Sequence, residues 1–314
     1  MKVIFLGTPD FAVNTLKSII ASKHEVLAVV TQPDKPVGRS SKLVFSPVKP
    51  VAVENGIKVL QYNKIRIEGV EDLKALNADI MVTCAFGQIL SQEIIDIAPH
   101  GIINVHASLL PAYRGASPIQ WSILNGDKQT GVTIMKTEAG IDTGDIISVC
   151  KTDILPEETA GELFDRLSEM GAKLLVETLD KIESNTATFT PQNHALATHV
   201  KMLKKEDGII DFSKNSEIIH NHVRGMNPWP SAFTFLNGKM FKVHKVQIIN
   251  NNKKWDNAPC GSVVESSAKN GLFVKTANGA VRLLVIQAEG GKRMNDTDYL
   301  LGHNIPVGEV FKNA

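Results

Sequence analysis

Apolar residues come in short continuous runs in the first two thirds of the chain and alternate with polar ones in the last third. Residues 3–7 (VIFLG), 25–32 (EVLAVVTQ), 57–61 (IKVLQ), 78–85 (ADIMVTCA) and 102–106 (IINVH) are rich in β-branched residues. Such runs predict strands buried on both faces, as in a parallel sheet. Segments near 10–22, 69–76 and 91–98 space their apolar positions as helices do. Residues 130–137 (TGVTIMKT) alternate as a strand, and 146–149 add another. A long helix over 159–184 is capped by Thr159 and carries Leu163, Leu167, Leu174 and Leu175 as a core stripe, with 188–193 a short edge piece. Strands alternating with helices give the α/β class, a Rossmann-like, mostly parallel sheet. Past residue 207 the signal changes. After a short helix near 215–225, Asn-Gly pairs at 237–238, 270–271 and 278–279 sit between β-type runs and predict tight turns. A small OB-like β-barrel fits that count. The expected organisation is a first domain over 1–193, a polar linker over 194–207 and a second domain over 208–314.

Composition adds little, because 43% hydrophobic and 21% charged residues in 314 are ordinary for a globular chain. Charge distribution adds more. Residues 1–199 hold 18 Lys/Arg against 23 Asp/Glu, and residues 200–314 hold 16 against 10. The basic second part suggests a nucleic-acid contact, with Lys239, Lys242, Lys245 and Lys275 on strands and Lys253, Lys254, Lys292 and Arg293 in loops. The chain enters a strand at residue 2, and no apolar run approaches the ~20 residues of a membrane span. Cys84, Cys150 and Cys260 are isolated and read as reduced thiols. A cytoplasmic protein with no membrane association is expected, and nothing demands an oligomer, so a monomer is expected.

Candidate chemistry gathers after 102–106. Asn104 and His106 alternate on that strand, so both side chains leave one face. At the carboxyl end of a strand in an open α/β sheet they line the ligand crevice. An amide donor and an imidazole suit a carbonyl to be polarised and a proton to be moved; the same spacing also suits a plain hydrogen-bonded pair. Pro111 ends the run, and Ser117-Pro118 reads as an N-cap with proline at the first helical position. The first strand-to-helix turn has one glycine, Gly7, which disfavours a dinucleotide. The stretch 33–50 (PDKPVGRSSKLVFSPVKP) has four prolines, which predicts an irregular loop to about residue 45. It is far longer than the usual 2–6 residues, so a functional loop is expected. His220 and His222 have the spacing of a metal pair without a third ligand nearby, and no metal is expected. Asp142, within EAGIDTGD (138–145), suits an Asx turn.

The string 104–120 (NVHASLLPAYRGASPIQ) resembles the signature of the folate-dependent formyltransferases, in their tRNA-acting branch. The resemblance covers nearly the whole chain and is most specific at 104–120 and 140–145. It implies transfer of a formyl group from 10-formyltetrahydrofolate, a consumed cosubstrate, to the α-amino group of methionine on initiator tRNA. Asn104 and His106 would be catalytic, with Asp142 as third member through the family's GxDTG segment. Ser108, Leu109, Leu110 and Pro111 would contact folate. The turn Phe86, Gly87, Gln88, Ile89, Leu90 would form the opposite wall, with Ser91 where the family commonly has proline. The 33–50 loop would enter the acceptor stem, and Gly38-Arg39 matches a GR step. Arg39 and Lys42 are therefore the expected tRNA contacts, although Ser40-Ser41 stands where the family continues with glycine and a basic residue. A formyltransferase for a small amine, or a folate-domain hydrolase, would share the triad but leave loop and barrel unexplained. A nucleic-acid module with a degenerate first domain would leave the intact triad unexplained.

Overall fold

The computed structural model describes residues 1–37, 42–250 and 252–313. The chain forms two compact units: Met1–Pro118, Gln129–Asp153 and Phe164–Val200 make the first, and Ile119–Lys128, Ile154–Leu163 and Lys201–Ala314 the second.

The first unit is built on a seven-stranded sheet in the order Ile146–Asp153, Gln129–Lys136, Ile102–His106, Ile80–Cys84, Lys2–Gly7, Glu25–Thr31, Lys58–Gln61. The last five pair in parallel, and the first two add antiparallel pairs at one edge. Burial explains why the runs are unbroken: Val3, Ile4, Phe5 and Leu6 have no exposed surface, nor do Ile80, Met81 and Val82. The long helix is Ala160–Glu183. Thr159 opens it as expected: its backbone N–H donates to Glu162 Oε2 at 2.8 Å, while its Oγ1 accepts the Glu162 N–H at 3.3 Å. This reciprocal cap satisfies two donors.

Three local expectations are corrected. The 33–50 stretch is not irregular to residue 45, because Lys35–Val37 and Lys42–Val44 pair antiparallel and a helix follows at Val48–Glu54. A two-strand ribbon has free edges on both sides, so Pro36 within it need not donate to a ladder. The helix expected over 91–98 is only Gln92–Ile95. Ser117 precedes the helix Pro118–Leu124, but at φ +61° it lacks the extended backbone of an N-cap.

In the second unit a six-stranded antiparallel sheet runs in the order Ala232–Leu236, Lys239–Asn250, Gly279–Ala288, Gly271–Lys275, Val263–Ser267, with Met294–Asn295 beside Gly279–Ala288. Asn237 and Gly238, at φ +51° and +76°, make the two-residue turn that the Asn-Gly pair predicts. The two ends of the sheet are joined through the C-terminal segment: Lys312 bridges Phe235, and Val310 bridges Ser262. Phe311 between them points inward, 3% exposed, to Phe212 and Phe241. Trp121 and Leu124 pack against the same core, as the apolar face of the helix Pro118–Leu124 requires. The stretch read as a linker is ordered. His199–Val200 pairs in parallel with Arg114–Gly115, and Lys205–Gly208 forms a turn of 3-10 helix. Among the basic residues, Lys275 is buried, which removes it from the solvent-facing set.

Candidate active site

Asn104 and His106 end the strand Ile102–His106, which lies in register between Ile80–Cys84 and Gln129–Lys136. Thr83 on the neighbouring strand donates its hydroxyl to Asn104 Oδ1 at 2.9 Å. That contact fixes the amide's orientation and turns its NH2 group away from Thr83, where it donates to no group among the described residues. Such a fixed donor suits a developing oxyanion.

His106 is 6% exposed, and its Nε2 lies 3.0 Å from the carbonyl oxygen of Tyr113. A carbonyl only accepts, so Nε2 carries a proton and donates it to Tyr113. Nδ1 faces Asp142 Oδ2 at 3.7 Å, too long for a direct hydrogen bond and suited to a proton shared through substrate or water. The structure thus brings Asn104, His106 and Asp142 into one unit with their functional atoms arranged around the strand end.

Asp142 is held at φ +50°, in the left-handed region. Its Oδ2 accepts the backbone N–H of Gly115 at 2.8 Å. Gly144 closes the turn against the strand Gln129–Lys136. A Cβ there would meet the Lys136 carbonyl oxygen at 2.0 Å, so only glycine permits this approach. Sequence patterning missed the groups behind this turn. Gln192, 50 residues downstream of Asp142, donates to the carbonyls of Asp142 and Gly144, and Arg114 donates to Gln192.

Of the expected folate contacts, Ser108 is buried and donates to the Ala112 carbonyl at 2.6 Å, while its own carbonyl accepts Thr133 Oγ1 at 2.7 Å. These bonds shape the turn that presents half-buried Leu109 and Pro111, whereas Leu110 is 7% exposed. Across the sheet, the ring of Phe86 lies in the apolar core with Ile4, Leu6 and Val30. Its carbonyl accepts from Thr8 Oγ1 and Gln32 Nε2. Gln88 is likewise structural: it accepts the Ile65 N–H at 2.8 Å and donates to the Tyr62 carbonyl at 2.8 Å. Burial, with Asp72 beside it, pushes the Tyr62 hydroxyl above its ordinary range, so it stays protonated and donates to Asp72. Gly87 at φ +81° and exposed Ile89, with half-buried Leu90, are what this turn offers to a ligand. Gly38, Arg39, Ser40 and Ser41 lie outside the described residues, and Lys42 begins the second strand of the ribbon. His220 Nε2 contacts Glu157 at 3.1 Å, and burial holds the His222 imidazole below its ordinary pKa. Among the described residues the only group of three possible metal ligands is His24, Asp180 and Glu183, already shared by the Lys23 ammonium. No helix there is long and apolar enough to cross a membrane.

Comparison with known proteins identifies the family. The family model described as formyl transferase matches residues 1–179, and that described as formyl transferase, C-terminal domain, matches 202–304. A methionyl-tRNA formyltransferase of Agathobacter rectalis is 49% identical over 312 residues, covering 99% of each chain. One of Lachnospira eligens is 49% identical over 314 residues, with 99% of each covered. Among solved structures, the N-formyltransferase of Helicobacter canadensis in complex with folinic acid and dTDP-3-aminofucose superposes with TM-score 0.68 at 22% identity, covering 94% of this chain and all of that one. The sugar 3N-formyl transferase WlaRD gives TM-score 0.67 at 23% identity, with 94% and 98% covered. These two show the fold alone. A mostly parallel sheet, two matched family domains and near-full-length relatives converge: the chain belongs to the formyl transferase family, among its methionyl-tRNA formyltransferases.

Proposed function

We propose that Asn104, His106 and Asp142 carry the transfer of a formyl group from 10-formyltetrahydrofolate to the α-amino group of methionyl initiator tRNA, giving N-formylmethionyl-tRNA. Attack of the neutral amine on the formyl carbon places negative charge on the formyl oxygen. Asn104, its Oδ1 engaged by Thr83, donates its Nδ2–H to that oxygen. The amine's surplus proton enters between His106 Nδ1 and the Asp142 carboxylate, which face each other at 3.7 Å. His106 then returns a proton to the departing N10, a poor anion, directly or through water. The observation that carries this reading is that facing pair, beside an amide whose donor side is unengaged. The chemistry runs on amide, imidazole and carboxylate groups, with folate as the donor.

Ser108, Leu109, Leu110 and Pro111 hold folate from one side, and Gly87, Ile89 and Leu90 from the other, with Phe86 and Gln88 supporting the turn from behind. Arg39 and Lys42 contact the tRNA. Lys239, Lys245, Lys253, Lys254, Lys292 and Arg293, exposed on the barrel, add backbone contacts to phosphate. The catalytic domain is 1–193 and the tRNA-binding domain 208–314; the protein works as a cytoplasmic monomer.

The test is formyl transfer from 10-formyltetrahydrofolate to charged initiator tRNA, beside free methionine and a glycinamide-type amine. Transfer to the tRNA alone, weakening as salt rises, is expected; transfer to the small amine alone overturns the acceptor. Near-native turnover by Asn104→Ala, His106→Ala and Asp142→Ala overturns the mechanism.

A further inference from the structure

Gln192 is 6% exposed, and its amide group is engaged at both ends. Its Nε2 donates to the backbone carbonyls of Asp142 at 2.9 Å and Gly144 at 2.7 Å. Its Oε1 accepts from Arg114 Nε at 3.1 Å and Nη2 at 2.7 Å. Arg114 is itself 3% exposed, and its Nη2 also lies 3.0 Å from His194 Nδ1. No carboxylate pairs with Arg114 among the described residues; its partners are this amide and an imidazole. Burying a guanidinium without a counter-ion is costly, so the arrangement is held for more than packing.

What it holds is a turn that would not keep its shape unaided. Asp142 sits at φ +50°, a region that L-residues adopt at a cost even when, like Asp, they tolerate it. The carbonyls of Asp142 and Gly144 are both drawn to one amide nitrogen, which fixes the 142–143 and 144–145 peptide planes. Turning either plane would swing the Asp142 carboxylate off Gly115 and away from His106.

We propose that Gln192, fixed in turn by Arg114, is a positioning residue that locks the 142–144 turn and so aims the Asp142 carboxylate at His106. The proposal rests on the reading of Asp142 as catalytic and extends it to a residue outside the signature string.

The test compares Gln192→Glu, Asp142→Asn and the double variant in the full-length protein. The carboxylate introduced by Gln192→Glu would keep Arg114 paired but offer oxygens to two carbonyls that need donors. The expected result is a kcat lower by about 10- to 100-fold, the worth of one or two lost hydrogen bonds, with KM for folate and for tRNA and the melting temperature close to native. The double variant is expected to be no slower than Asp142→Asn, because the two act in series. A Gln192→Glu kcat near native beside a slow Asp142→Asn overturns the positioning role and leaves Asp142 catalytic. An Asp142→Asn kcat near native overturns the Asp142 reading, and this proposal with it. Losses that multiply in the double variant, or a loss confined to KM, also overturn the proposal. Should Gln192→Glu fail to fold, Gln192→Asn keeps the amide one methylene short of its partners and is read by the same criteria.

Discussion

The backbone N–H of Gly115 donates to Asp142 Oδ2 at 2.8 Å, so the loop after the signature strand steers the carboxylate that faces His106. Gly115 is at φ +105°, and a Cβ there would meet the Val200 carbonyl oxygen at 2.4 Å. Gly115→Ala must therefore open the pairing with Val200 and carry the N–H away from Asp142. A hydrogen bond to a charged group is worth about 1.5–3 kcal/mol, which corresponds to a kcat lower by roughly 10- to 100-fold. Steady-state kinetics at saturating tRNA and folate would check this. A change in KM alone would show that Gly115 serves binding and not the carboxylate.

Asp34, at the root of the ribbon, accepts from the Lys49 ammonium and from Gln61 Nε2. The Lys49 bond, then the Gln61 bond, holds its carboxyl below the ordinary 3.8. Because the folded value is depressed, the stabilisation is complete above the unfolded value and is lost as pH falls through the folded one. Asp34→Asn should thus melt below the native protein at pH 7, and the gap should close as pH falls below about 4. Melting curves across pH 2–7 decide it; a gap constant with pH would mean that the carboxylate's charge contributes nothing.

Much of the first unit was legible because its signals are local. Runs such as 3–6 and 80–84 are buried on both faces, and alternation alone put Asn104 and His106 on one side of their strand. The Asn237-Gly238 turn likewise depends only on its own backbone preferences. What stayed hidden depends on partners distant in sequence. Gln192 has no periodicity or motif to mark it, and its meaning comes from two carbonyls about 50 residues away. Phe86 looked like a ligand-facing aromatic, yet its ring serves the core and its carbonyl is what the neighbouring polar groups use. The pairing of Lys35–Val37 with Lys42–Val44 was hidden by the prolines in and around it, which report on single residues and not on pairing.

Phe311 shows how the barrel's stability depends on the end of the chain. It is 3% exposed, 5.4 Å from Phe241 and 6.1 Å from Phe212 between ring centroids, and its N–H donates to the Gly261 carbonyl at 2.9 Å. Phe311→Ala removes the side chain between the two bridges that join the sheet's ends, at a cost of about 3–5 kcal/mol. Trp121, Trp229 and Trp255 all belong to the second unit, so tryptophan fluorescence during urea unfolding reports on it directly. A midpoint unchanged from native would mean that the C-terminal segment is not part of the barrel's core.

Thr83 offers the most selective test of the oxyanion assignment. Its hydroxyl donates to Asn104 Oδ1 at 2.9 Å and lies 3.3 Å from the Ile103 carbonyl oxygen. Thr83→Val keeps the shape of a residue that is 7% exposed but frees the Asn104 amide to turn its oxygen toward the reacting carbonyl. A neutral hydrogen bond is worth about 0.5–1.5 kcal/mol, so kcat should fall by roughly 3- to 10-fold with KM unchanged. Asn104→Ala should lose more, and adding Thr83→Val to it should cost little further, because Thr83 acts only through that amide. If Thr83→Val instead slowed Asn104→Ala by the same factor as the native enzyme, the hydroxyl would be serving the strand and not the amide, and the orientation argued for Asn104 would fall.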